Sequence, residues 1–346
     1  MDCMIRADSV NPDVGLISSR ESSQGPGRFV VNFVFRLISA IRHRRNAVCL
    51  GLDPRWEQLP AVFRGHSPRS FADVARAYQE FSRAVIEIAS PLVPVVKPQA
   101  AFFEACGPVG CQALQDVLGF AEERGMVTIL DGKRNDIGST AAAYADAYLG
   151  RGAMGSNAEH LDWPRPWLAD ALTINPYLGS DGITPFVEIA AREGRGLFAL
   201  VRTSNPSARE FQDLVADGRP VYRHVAEKIL TLGEPHRGFL GYSLLGAVVG
   251  ATYPTELAEL RKAMPGVFFL VPGYGSQGAG AADVAAAFDQ DGLGAIINNS
   301  RGLIFAHERP DLQARHGNHW ERAVESAIHE MIDALASDTP CGRLQE

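Results

Sequence analysis

The strongest constraint on the fold is a rhythm. Eight short apolar runs alternate with helix-like stretches along most of the chain. The runs fall at 47–53, 94–103, 126–133, 171–177, 196–204, 247–253, 267–273 and 294–301. Amphipathic stretches follow near 70–90, 107–124, 139–149, 182–193, 221–232, 254–264, 279–288 and 318–336. Strands that read as near-continuous apolar runs belong to parallel sheets covered on both faces, and eight such strands, each followed by a helix, predict an α/β fold of the (β/α)8 or TIM-barrel type. A doubly wound sheet is the weaker alternative.

Upstream of the first run, Phe29, Val30, Phe33, Leu37 and Ile41 recur at helical spacing, so 28–43 is expected to form an N-terminal helix packed on the barrel. Asn32 and Arg36 interrupt the segment, which is too short for the ~20 apolar residues of a membrane span. Residues 1–27, rich in Ser, Gly and Pro, are expected as a flexible tail, 28–337 as a single barrel domain, and 338–346 as a C-terminal tail. The stretch 150–170, with Trp163 and Trp167, reads as an inserted loop. A net charge of -7 argues against a nucleic-acid partner. The five cysteines show neither a C-x-x-C pair nor zinc spacing, and no basic leader precedes an apolar core, so a reducing cytoplasm is expected. Cys106 and Cys111 read as small buried hydrophobes.

In such a barrel the chemistry sits at the C-terminal ends of the strands. Strand 1 ends in Asp53, strand 2 carries Lys97, strand 3 ends in Asp131, Lys133 and Asp136, and strand 5 ends near Ser204. Strand 7 runs into Pro272 and Gln277, and strand 8 into Arg301. Asp131 and Lys133 are two apart, so on an extended strand both point to one face. With Lys97 on the next strand, two ammonium groups and two carboxylates can share a pocket, either as an active site or as a structural ion-pair cluster.

Composition bears on that choice. Of 33 basic side chains only four are lysine, Lys97, Lys133, Lys228 and Lys262. Arginine makes the better fixed salt bridge, whereas lysine can release a proton. Two of the four lysines fall at these strand ends; Lys228 and Lys262 lie on expected outer helices, as surface charges. Asp53 suits either a cap or a ligand hydroxyl.

Gly273, Gly275 and Gly278 fit G-x-G-x-x-G, but at the seventh strand and without a Rossmann βαβ unit before them. Loops after strands 7 and 8 of a barrel are a frequent phosphate site, and Arg301 adds a planar donor fork. A phosphorylated small molecule is therefore preferred to a dinucleotide. No metal-binding or hydrolase motif is present.

The block Asp131-Gly-Lys-Arg-Asn-Asp-Ile-Gly-Ser-Thr140, with Val-Val-Lys97-Pro-Gln and Gly-Leu-Asp53-Pro before it, resembles the orotidine 5'-phosphate decarboxylase family, in its longer bacterial branch. Arg-Thr-Ser204-Asn-Pro, Val-Val-Gly-Ala-Thr at 248–252, Pro272-Gly-Tyr-Gly-Ser-Gln277-Gly and Asn-Ser-Arg301-Gly extend the likeness over roughly 28–305. Asn135 departs from the pattern, where a smaller residue is usual. The resemblance implies a TIM barrel that needs no cofactor and no metal, and that releases CO2 from orotidine 5'-phosphate to give UMP, the last step of pyrimidine synthesis. It implies Lys133 as proton donor to C6, Asp131 against the substrate carboxylate, and Lys97 holding Asp131 and the ribose. Asp53 would bind a ribose hydroxyl, while Asp136 and Thr140 would cross a homodimer interface into the neighbouring site. Ser204 and Gln277 would contact base and phosphate, Pro272 would wall the pyrimidine, and Arg301 would grip the phosphate. A Schiff-base aldolase, a magnesium-dependent sugar-phosphate decarboxylase and a non-catalytic phosphate-binding barrel are the rival readings.

Overall fold

The computed structural model describes residues 32–65, 67–154, 165–275 and 278–345. Eight parallel strands close in chain order: β1 (Val48–Leu52), β2 (Val95–Pro98), β3 (Val127–Arg134), β4 (Ala171–Ile174), β5 (Gly196–Arg202), β6 (Leu245–Val249), β7 (Phe269–Val271) and β8 (Ala295–Asn299), with β8 pairing back onto β1. Helices Phe71–Ala89, Pro108–Glu123, Gly138–Leu149, Ser180–Glu193, Val221–Gly233 and Pro254–Ala263 cover the outside, and Trp320–Asp338 follows the last strand. The expected (β/α)8 barrel is the observed fold.

The departures have local causes. The run 94–103 is too long for one strand: β2 stops at Pro98, and Gln99 caps a short helix, Ala100–Glu104, by accepting the Ala101 N–H. An apolar run of this kind does not distinguish strand from buried helix by itself. The helix expected at 279–288 is a single turn, Ala281–Val284, continued by a 3-10 turn, Ala285–Ala287. A two-residue ladder, Val215–Ala216 with Arg219–Pro220, lies unforeseen in the segment after β5. Beyond Asp338 the chain forms a 3-10 turn, Pro340–Gln345, that buries Cys341. The tail at 1–27, residues 155–164 of the expected loop, and Phe29 and Val30 lie outside the described residues.

Strand alternation divides the core in two. Val48, Leu50, Val96, Leu130, Leu172, Ala247, Phe269 and Ile297 face the helices. Cys49, Val95, Ile129, Ala171, Phe198, Val248, Leu270 and Ile296 fill the barrel interior, together with Phe33, Val34, Leu37, Ile38 and Ile41 of the N-terminal helix Phe33–Arg44. That helix starts where the Asn32 side chain accepts the Val34 N–H, and its apolar face plugs the barrel. The fit is close: a Cβ on Gly196 would lie 2.2 Å from the Phe33 ring. Arg36 of the helix reaches Asp170 at 2.6 Å, and Asp170 also meets Arg195 at 2.9 Å and accepts the Thr128 N–H at 3.0 Å. One buried carboxylate thus ties the helix to β3 and β5.

Asp170→Ala should lower the unfolding free energy by about 2–3 kcal/mol, below the range for a fully buried pair because Arg36 keeps some solvent access. Urea denaturation checks this; a loss under ~1 kcal/mol would mean the three donors are satisfied without the carboxylate.

Candidate active site

The inward positions at the C-terminal ends of β1 to β4 carry polar groups. Inward parity runs from Cys49 to Asp53, from Val95 to Lys97, from Ile129 to Asp131, and from Ala171 to Thr173. Lys97 and Asp131 are both buried, and Lys97 Nζ lies 2.7 Å from Asp131 Oδ2. The Gln99 side chain donates to the same oxygen at 2.9 Å. The other oxygen, Oδ1, accepts from Lys133 Nζ at 2.6 Å and from the Thr173 hydroxyl at 2.9 Å.

Lys133 reaches this carboxylate by a route the strand alternation does not give. Between Leu130 and Arg134 the pairing with β4 slips, so four steps on β3 answer two on β4. Within the slip, Lys133 has φ of +47°, a left-handed conformation that a side chain with a Cβ seldom adopts. Its N–H donates to the Thr173 hydroxyl at 2.9 Å, so Thr173 holds the backbone and the carboxylate together. Asp131 and Lys133 therefore meet through the bulge and not through the alternation of an extended strand. The bulge leaves the Lys133 side chain 46% exposed in the mouth, against 5% for Lys97.

Burial by itself would raise the Asp131 pKa, but the charges of Lys97 and Lys133 outweigh it and hold the carboxyl well below the usual range. Burial would likewise lower Lys97, and the charges of Asp131 and Asp53 more than offset it, so its ammonium is held above the ordinary value. Beneath them burial pushes the Cys49 thiol up to about 12, so it stays neutral. The arrangement is one fixed anion between two cations.

Lys97, Asp131, Lys133, Ser204 and Pro272 line one cavity of about 860 Å³. Its floor includes Leu200, Val248 and Leu270, and Tyr222 and Phe211 form part of its wall. Asp53 stands at the end of β1 with a buried Oδ1 that has no hydrogen-bond partner. Asp136 does not line the cavity, and its Oδ1 accepts the N–H of Ile137 at 2.8 Å. Thr140 is exposed in the first turn of Gly138–Leu149. Arg301 opens the short helix Arg301–Ile304, two residues beyond β8. Gln277 lies outside the described residues. A Cβ on Gly51 would fall 1.9 Å from Ser300 Oγ, so only glycine lets β1 approach the turn that carries Arg301. Lys228 and Lys262 are exposed on outer helices.

Gln99 and Thr173 were not singled out by sequence. Both were detectable: Gln99 follows Lys97 by two, and Thr173 is the polar member of the Ala171–Ile174 strand, in the inward parity of Ala171.

A closed barrel whose mouth holds an ionised aspartate between two lysines, beside a turn with a surface arginine, defines a (β/α)8-barrel protein with an ammonium–carboxylate pocket at the C-terminal ends of its strands. The chain belongs to the orotidine 5'-phosphate decarboxylase / HUMPS family, whose profile matches residues 46–315. A Rhodopirellula baltica protein named orotidine 5'-phosphate decarboxylase is 47% identical over 308 residues, covering 88% of this chain and 99% of the relative. A Deinococcus radiodurans protein of the same name is 42% identical over 264 residues, 76% of this chain and 85% of its own length. Among solved structures, the Leishmania donovani OMP decarboxylase superposes with a TM-score of 0.65 at 31% identity, covering 89% of this chain and 98% of that one.

Linkage fixes the pH dependence of the pair. A depressed carboxyl contributes stability that is complete above its unfolded value, ~3.9, and is lost as pH falls; a raised lysine contributes below its unfolded value, ~10.4, and loses that as pH rises further. Asp131→Asn should therefore cost about 3 kcal/mol near neutrality, with a gap from wild type that is flat from about pH 5 to 9 and narrows below about pH 4. Denaturant titrations at several pH values read this; a gap unchanged at pH 3 would mean that Asp131 is not held as the anion.

Proposed function

We propose that this chain converts orotidine 5'-phosphate to UMP and CO2 without a cofactor, closing the synthesis of the pyrimidine nucleotide. The observation that carries the reading is the ionised Asp131 clamped between Lys97 and Lys133 in the barrel mouth of a chain of this family. Asp131 lies against the departing carboxylate. Loss of CO2 leaves an electron pair in an in-plane sp2 orbital at C6, with no ring delocalisation to spread it. Lys133 faces that charge as it forms: at ~4 Å and an effective dielectric of ~20, one unit charge contributes on the order of 4 kcal/mol. Thr173 and the bulge hold the ammonium in advance, so little reorganisation accompanies the charge development. Lys133 then gives its proton to C6, which an arginine, never losing its own, could not do.

The remaining roles are those that the family resemblance implies. Lys97 anchors Asp131 and a ribose hydroxyl, and the unpartnered Asp53 oxygen accepts from another. Ser204 contacts the base, Pro272 walls it, and Gln277 and Arg301 take the phosphate. Remote phosphate binding helps exclude water around the carbanion. Both Asp131 oxygens already face ammonium groups, an arrangement that disfavours a divalent cation there and with it the magnesium-dependent alternative.

Asp136 and Thr140 serve the neighbouring subunit of a homodimer. In support, both lie outside this chain's own cavity and beside exposed Ile137 and Tyr144, an apolar strip suited to a second copy. A cytoplasmic location fits the four unpaired cysteines among the described residues, and no helix there is long and apolar enough to cross a membrane.

Lys133→Ala should cut turnover by roughly 100- to 10,000-fold while UMP still binds, as read from orotidylate absorbance with and without EDTA; near-normal rates would remove Lys133 as donor. Mixing inactive Asp136→Ala and Lys133→Ala chains should restore activity through heterodimers with one intact site. No recovery after verified subunit exchange would place all four charged groups within one chain.

A further inference from the structure

Arg202 ends β5 with no exposed surface, the only charged side chain among the described residues buried so completely. The ladder to β6 carries one extra residue on β5 between Leu200 and Arg202, so the strand bends where the segment with Ser204 begins. Nη1 lies 2.9 Å from Asp213 Oδ1 and donates to Gln212 Oε1 at 3.4 Å. The guanidinium carbon stands 4.1 Å from the centre of the Tyr253 ring and 5.3 Å from that of Tyr222. Nε and Nη2 have no hydrogen-bond partner, and the Glu256 carboxylate is 3.9 Å from Nη2. Burying a cation with two unused donors is costly unless it secures something.

What it secures is the backbone on either side of Ser204. Gln212 accepts the Thr203 N–H at 3.0 Å and donates to the Thr203 hydroxyl at 2.7 Å, and that hydroxyl donates to Asn205 Oδ1 at 2.7 Å. From the residues just past β6, the Gly250 N–H donates to the Arg202 carbonyl at 2.7 Å, and the Thr252 hydroxyl donates to the Ser204 carbonyl at 3.4 Å. A Cβ on Gly250 would lie 2.9 Å from Ser204 Cβ, so the two loops touch. The segment also carries exposed Phe211 and Leu214, both at the cavity wall.

We propose that Arg202 is a positioning residue that sets Ser204 over the pyrimidine by clamping Asp213, Gln212 and Tyr253 beneath the loop. The inference rests on the assignment of Ser204 to the base. Arg202 touches no substrate; it fixes in advance the loop that does, so that binding need not order it.

A double-mutant cycle tests this with orotidine 5'-phosphate as substrate. Because Arg202→Met could unfold the chain, the cycle uses the partly exposed Asp213: wild type, Ser204→Ala, Asp213→Asn and the double variant. Asp213→Asn should lower kcat/KM by on the order of tenfold, and its further effect should shrink to under about twofold once Ser204 is alanine. Chymotrypsin cleavage at Phe211, which needs no turnover, should become several times faster in Asp213→Asn, while Arg202→Lys should keep part of the activity that Arg202→Met loses. If Ser204→Ala slows turnover but the two losses multiply, the base assignment stands and the positioning role falls. If Ser204→Ala is silent, both fall. Unchanged kinetics and cleavage in Asp213→Asn would also overturn the role of Arg202.

Discussion

The contact between Lys97 and Asp131 sets the terms for the rest of the molecule. Moving either ion out of water costs several kcal/mol, and their attraction recovers this only when the remaining lone pairs and protons are also met. For Asp131 the lone pairs are met by Gln99, Thr173 and Lys133, and the charge of Asp53 adds to the field that favours the Lys97 ammonium. Those groups come from four adjacent strands and the residues just past their ends, so each strand must hold its register. A slip by one residue would turn Lys97 toward the helices and Val96 into the mouth. The outward residues Leu50, Val96, Leu130 and Leu172, packed under the helices, keep that from happening.

The two ends of the barrel divide the work. The far end is closed by the N-terminal helix, whose apolar face continues the interior stack from Cys49 through Phe198, with Asp170 tying it down. The interior that supports the site is thus filled with apolar side chains, and Cys49 stays a neutral thiol below Lys97. An apolar floor strengthens the charge interactions above it, which is the setting a preorganised ammonium needs. The open end carries the polar residues and the longer loops, in keeping with barrels that separate stability from chemistry.

How much of this was legible in the sequence varied with the kind of signal. Strand and helix order could be read because burial on both faces leaves a clear mark, and most helices fall within a few residues of their expected spans. Run 94–103 misled because Ala100, Ala101, Phe102 and Phe103 suit a buried helix as well as a strand. The lysine scarcity pointed to Lys97 and Lys133, but nothing in the residue types showed the left-handed backbone at Lys133, which is imposed by Thr173 on another strand. Thr173 went unnoticed because one hydroxyl in an apolar run looks like tolerance. The Arg202 clamp was hidden for a related reason. Its partners are Gln212, Asp213 and Tyr253, and only the fold brings them together.

The barrel's departures from regular geometry are not scattered. Ladders β1 to β2 and β4 to β5 keep one-to-one register, as strands packed on both sides should. The slips fall on β3, just past Asp131, and on β5, just before Ser204. A bulge costs ladder bonds and, at Lys133, a disfavoured φ, so it persists only where neighbouring contacts over-determine it. Each slip has such contacts, Thr173 at the first and Gly250 with Arg202 at the second. Each also re-aims the chain at the same cavity. Two independent costs, both at the mouth and both fixed from an adjacent strand, are hard to explain as folding necessity, since β1 and β4 end there without them. They are what shaping a pocket from a symmetric barrel requires: regular strands give equivalent ends, and a site needs ends that differ.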